Sequence, residues 1–124
     1  MIIATDADQV IFDFYHHFVA FAEQVLQRPL QLRSNSFNFT ERLDMSPVEF
    51  FKVAVMFKTT RQWAQLPVFE SSITALNWLL DLGYQVHIVS SIPPDVKDQR
   101  EQQLESLFPR HYRKSLLLHV ARTN

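Results

Sequence analysis

The 124-residue sequence contains no cysteine and a single glycine, Gly83. The first absence excludes disulfides, thiolate metal centres and thiol nucleophiles. The second excludes a phosphate-binding loop built on repeated glycines and leaves turns of positive φ to Asn or Asp. Charge of one sign is lacking too: 12 basic residues against 13 acidic ones give a formal net charge of −1. That balance offers no electrostatic footprint for a nucleic-acid duplex or an anionic membrane. No stretch approaches the roughly 18 apolar residues of a membrane-spanning helix. The N-terminus reaches acids at Asp6 and Asp8 with no basic segment ahead of an apolar one, so it does not read as a secretion signal. The expectation is a cytoplasmic protein.

What is present is ordinary for a globular chain of one domain: 47% hydrophobic and 20% charged residues. Residues 1–5 form a short apolar run that ends at Asp6 and Asp8, which suits a buried parallel strand. Apolar residues then crowd residues 11–28, up to Pro29, and predict a helix that is largely covered. Residues 29–40, with Ser34, Asn35, Ser36 and Asn38, read as loop. Ser46, Pro47 and Glu49 make a capping box with proline at the first helical position, starting a second helix. Ser71 or Ser72 is the expected cap of a helix carrying Ile73, Leu76, Leu79 and Leu80, which Gly83 stops. A strand follows over residues 84–89, ending at Ser90 and Ser91. A helix from Pro93 and Pro94 to about Leu107 and a strand over residues 113–120 complete the pattern. Alternating strands and helices predict an α/β fold with a parallel sheet of about three strands.

In parallel α/β sheets ligands bind beyond the carboxyl ends of the strands, so Asp6, Asp8, Ser90 and Ser91 are expected on one rim. Two carboxylates two residues apart past a strand can share a hard cation. They can also divide the labour of nucleophile and acid–base. Acids at that place could also cap a following helix, and the serines could cap the helix after Pro93. His16 and His17 have no third ligand in view. His87 alternates within its strand as a structural residue would.

Asp6-Ala7-Asp8-Gln9-Val10-Ile11-Phe12-Asp13 after an apolar strand resembles the first motif of the haloacid dehalogenase superfamily, D-x-D-G-V-L-x-D, with Gln9 in place of the usual glycine. The segment from Leu82 to Ser91 resembles the 5′(3′)-deoxyribonucleotidase pattern up to its second motif, and the likeness runs through roughly residues 1–120. It implies a Rossmann-like core as a single domain over residues 1–124, with a small helical cap inserted at about 14–66. It also implies a Mg²⁺-dependent phosphomonoesterase of the 5′-nucleotidase kind, acting on a small phosphorylated substrate such as a nucleotide. By that resemblance Asp6 is the nucleophile and Asp8 the acid and base, and both help to hold Mg²⁺. Ser90 and Ser91 bind phosphate, with Arg122 as the nearest candidate for the family's lysine. The aromatic insert, with Phe37, Phe39, Phe50, Phe57 and Trp63, falls where the family carries its cap, although such residues serve more often as core.

The sequence also departs from the family pattern. Arg is bulkier and more forked than the Lys it would replace. The acidic motif that follows the family's fourth strand has no counterpart before Asn124. With the family order 3-2-1-4-5, three strands leave the first as an apolar edge, which invites pairing. The expectations that follow are a homodimer through the first-strand edge or a shortened gene product. The alternative to an enzyme is a catalytically inactive binding or oligomerising module.

Overall fold

The computed structural model describes residues 1–120. The chain divides into two compact units, one comprising Met1–Phe14 and the chain from Trp63 onward, the other Tyr15–Gln62.

The first unit is an α/β layer. Its strands β1 (Ile2–Asp6), β2 (Gln85–Ser90) and β3 (Leu116–Val120) form a parallel sheet in the order β1-β2-β3, with Ile3 opposite Val86 and Val86 opposite Leu116. The strand order advances in one direction, so right-handed crossovers would put the connecting helices of this unit over the same face. The burial of β2 agrees: Val86, Ile88 and Ser90 are buried, while Gln85 and Val89 on the opposite face are exposed. β1 is an edge of this sheet, and Ile2 is 63% exposed there.

The helices of this unit are α4 (Glu70–Asp81) and α5 (Lys97–Leu107), the latter entered through a single 3₁₀ turn at Pro94–Val96. Helix α4 buries Leu76 and Leu80 and ends before Gly83, whose φ of 97° only glycine adopts without strain. It begins one residue before Ser71, and neither Ser71 nor Ser72 caps it; Phe69 stands at the cap without a side-chain bond. The start is set from outside the helix. The Phe69 N–H donates to the Ile11 carbonyl and Val68 bridges to Phe12, so the chain is already fixed before the serines arrive.

Helix α1 (Phe14–Leu26) starts three residues later than the apolar pattern predicts, and only Phe18 and Ala22 of it are buried. Residues 8–13 instead make a tight turn at the end of β1. Likewise β3 starts at Leu116, not near 113. Arg113 takes a φ of 69°, and the amides of Lys114, Ser115 and Leu116 all donate to the His111 carbonyl. Among the described residues the positive-φ positions outside Gly83 are Gln9, Gln27, Arg61 and Arg113, none of them Asn or Asp. Composition therefore misplaced these turns.

The second unit holds most of α1, then α2 (Phe39–Arg42) and α3 (Pro47–Thr59). Helix α2 begins within the last two residues of the expected loop, because the Asn38 side chain accepts from the Thr40 N–H and caps it. The capping box of α3 forms as read, with Ser46 and Glu49 bonded reciprocally. The core of this unit is aromatic: the Phe18 ring lies 4.9 Å from Phe39, 5.8 Å from Phe50 and 5.2 Å from Phe57, between centroids. These spacings are typical of packed aromatic pairs. Phe37 is fully exposed, and Trp63 belongs to the first unit, where it stacks on Phe14.

Candidate functional site

A parallel sheet ends all its strands on one rim, and the candidate residues lie on that rim. Asp6 closes β1 with its Cα opposite Val89, and Ser90 is the next residue of β2. Beyond Asp6 the chain folds onto itself. The Ala7 carbonyl accepts from the Ile11 and Phe12 amides at 2.8 and 3.1 Å, and the Gln9 amide donates to the Phe12 carbonyl at 2.7 Å. Such a tight return needs a left-handed residue, and Gln9 supplies it at a φ of 64°. Glycine would reach this conformation without the roughly 1–2 kcal/mol that an L side chain costs there. The position where the resembled motif carries glycine is thus a position whose backbone favours glycine.

The turn leaves Asp6 exposed, buries Ala7 completely and holds Asp8 part-buried. Asp6, Ala7, Asp8, Val89, Ser90 and Ser91 together line a pocket of about 230 Å³. Pockets that enclose a drug-sized ligand run to about 300–1,000 Å³. This one is sized for a small polar group, with the rest of any larger ligand outside it. Ser90 is 2% exposed, and its Oγ has no hydrogen-bond partner among the described residues. A buried hydroxyl without a partner at a pocket wall is a donor and acceptor available to a ligand. Ser91, next to it, is exposed. Arg122, the fifth candidate, lies outside the described residues.

One residue of this site was not anticipated. Arg100 of α5 is 1% exposed, and its Nη2 donates to Asp8 Oδ1 at 2.8 Å. Its guanidinium lies 4.2 Å from the centre of the Phe12 ring, inside cation–π range. A signal for it was present in the sequence. Val96, Arg100 and Leu104 recur at four-residue spacing and all are buried, so the arginine occupies a core stripe of its helix. A buried charge demands a counter-charge, and Asp8 provides it.

The two acids consequently differ. Asp8 is tethered to a buried cation, whereas Asp6 makes no side-chain hydrogen bond or ion pair with another described residue. The Asp8 carbonyl accepts no backbone bond within the turn. A carboxylate and a free carbonyl on adjacent turns of chain are suitable oxygen ligands for Mg²⁺, which keeps several of its waters and needs few protein ligands. Among the described residues no group of three or more His, Asp or Glu gathers for a metal that needs a full protein cage. His16 and His17 belong to no such group, and His17 Nε2 instead faces Gln62 Oε1 at 3.0 Å. His87 stacks on His119 of the neighbouring strand with 2.8 Å between ring nitrogens.

No protein-family model matches the chain, and no curated protein matches it. Among the described residues no helix is long and apolar enough to cross a membrane.

Proposed function

We propose that the chain is a Mg²⁺-dependent phosphomonoesterase with a haloacid-dehalogenase-like core, acting on a small phosphorylated substrate of the nucleotide class through a phosphorylated Asp6. The observation that carries this reading is the convergence of Asp6, Asp8, Ser90 and Ser91 on one small pocket at the carboxyl ends of two neighbouring parallel strands. Fold-level likeness alone would not suffice, since one architecture hosts many chemistries.

In this mechanism the exposed Asp6 carboxylate attacks phosphorus, the bond to the ester oxygen breaks, and Asp8 gives that oxygen its proton. Asp8 then takes a proton from the water that attacks the acyl phosphate, releasing inorganic phosphate and restoring Asp6. The Ser90 hydroxyl and the adjacent Ser91 hold phosphoryl oxygens, with Arg122 assigned to the same charge. The Asp6 carboxylate and the Asp8 carbonyl would hold the metal. Mg²⁺, when bound, supplies charge neutralisation for phosphoryl oxygens.

A second reading has its own observation. β1 is a sheet edge with exposed Ile2, and the sheet face bearing Val89 is open. That surface favours a binding module that forms a homodimer through the first strand and performs no chemistry. Phosphate release from aryl phosphate and a set of nucleoside monophosphates, with Mg²⁺ and with chelator, separates the two. The enzyme reading predicts metal-dependent release that Asp6→Asn abolishes. Absence of release from every substrate, or release unaffected by Asp6→Asn, would rule it out.

A further inference from the structure

Two carboxylates two residues apart could both ligate a divalent ion, yet the structure treats them unequally. Asp8 Oδ1 is bound by a guanidinium that is 1% exposed, stacked on Phe12 and anchored in α5 between the buried Val96 and Leu104. Arg100 cannot leave without unpacking its helix, and its only described ion-pair partner is Asp8. Asp6 has no such tether, and the Asp8 carbonyl accepts no backbone bond in the turn. The pairing ties one carboxylate oxygen of Asp8 to α5, while the Asp8 carbonyl stays unbonded within the turn.

We propose that Arg100 is a positioning residue that withholds the Asp8 carboxylate from the divalent ion, so that the ion is held by the Asp6 carboxylate and the Asp8 main-chain carbonyl. The inference rests on the metal site assigned above but not on turnover. It accounts for how two acids in one turn take separate roles: one meets metal and phosphorus, and the other is kept off the metal. The guanidinium suits this task better than an ammonium, because its charge cannot be lost and its flat face packs on an aromatic ring. Its other terminal nitrogen, Nη1, is buried with no hydrogen-bond partner among the described residues. No second described acceptor therefore competes with Asp8 for the guanidinium.

The test is Mn²⁺ binding to the full chain, followed by calorimetry without substrate, for the wild type, Asp6→Asn, Arg100→Gln and the double variant Asp8→Asn/Arg100→Gln. Affinity for hard cations grows with the number of carboxylate ligands. Freed from Arg100, the Asp8 carboxylate should join the ion, and Arg100→Gln should bind about tenfold more tightly. The double variant carries the same net charge at the site as the wild type and lacks only the carboxylate and its partner. It should bind within about threefold of wild type, because that carboxylate is not a ligand. Asp6→Asn should abolish binding. A loss of about tenfold or more in the double variant would make the Asp8 side chain a metal ligand and overturn the proposal. So would absent Mn²⁺ binding by the wild type. The double variant leaves no buried charge unpaired, which keeps the test available if Arg100→Gln alone does not fold. Should phosphate release be absent while this binding pattern holds, the phosphatase reading fails and the role of Arg100 stands.

Discussion

The two acids of the site should be separable by stability, and the structure gives the size of the difference. Asp6 is exposed and unpaired among the described residues, so Asp6→Asn should change folding free energy by no more than about 0.5 kcal/mol, as surface substitutions usually do. Asp8 is the counter-charge of a guanidinium that is 1% exposed. Removing one partner of a fully buried pair costs about 3–5 kcal/mol. The Asp8 side chain is 27% exposed and asparagine keeps one acceptor oxygen, which reduces the expected loss to about 2–3 kcal/mol. For a chain of this length that lowers the melting temperature by about 8–12 °C. Tryptophan fluorescence is the natural probe, because both tryptophans, Trp63 and Trp78, lie in the unit that carries the pair. Thermal melts of the two variants at neutral pH should differ by that margin, and Asp8→Asn/Arg100→Gln should recover part of the loss. Equal melting temperatures for Asp6→Asn and Asp8→Asn would refute the argument that Arg100 depends on Asp8.

Two further outcomes follow from local geometry. In the second unit Arg28 contacts both Asp44 and Glu49. The Gln31 N–H, with Arg28, holds the Asp44 carboxyl below its ordinary value, and the Ser46 N–H, with Arg28, does the same for Glu49. A depressed folded-state pKa stabilises above the unfolded value and is lost as pH falls through the folded one. Amide exchange in α3 should therefore accelerate as pH drops below about 4.5, after correction for intrinsic rates, and Asp44→Asn/Glu49→Gln should flatten that dependence. An unchanged slope in the double variant would contradict it. At the turn after β1, Gln9→Val should destabilise the first unit by about 1–2 kcal/mol, since a β-branched residue resists a φ of 64°. A neutral effect in a urea titration would show that the turn relaxes.

Much of this architecture is legible in the sequence. The apolar run ending at Asp6 makes a parallel strand, although an edge strand with no buried residue where a buried one was expected; Ser46 and Glu49 form their box, and Gly83 stops α4, because each signal is local and acts through the backbone. The same locality placed Asp6, Asp8, Ser90 and Ser91 on one rim, since strand ends in a parallel sheet must meet there. What escaped depends on contacts distant in sequence. Helix α4 starts at Glu70 because Phe69 bonds to Ile11, and no reading of Ser71 or Ser72 contains that bond. Left-handed turns fall on Gln and Arg because surrounding hydrogen bonds override the preference for Asn, as at Gln9 and Arg113. Arg100 lies in a helix rich in polar residues. Only its place between Val96 and Leu104 on the buried stripe marked it, and its partner lies 92 residues away in the chain.

The most direct test of the central claim is covalent capture on Asp6. The chain would be mixed with Mg²⁺ and an aryl phosphate, quenched in acid during turnover, and the peptide bearing Asp6 analysed by mass spectrometry. The account predicts one added phosphoryl group on Asp6, absent from Asp6→Asn and removed by hydroxylamine, which cleaves acyl phosphates. Phosphate release with no label on Asp6, or with the label on another residue, would contradict it.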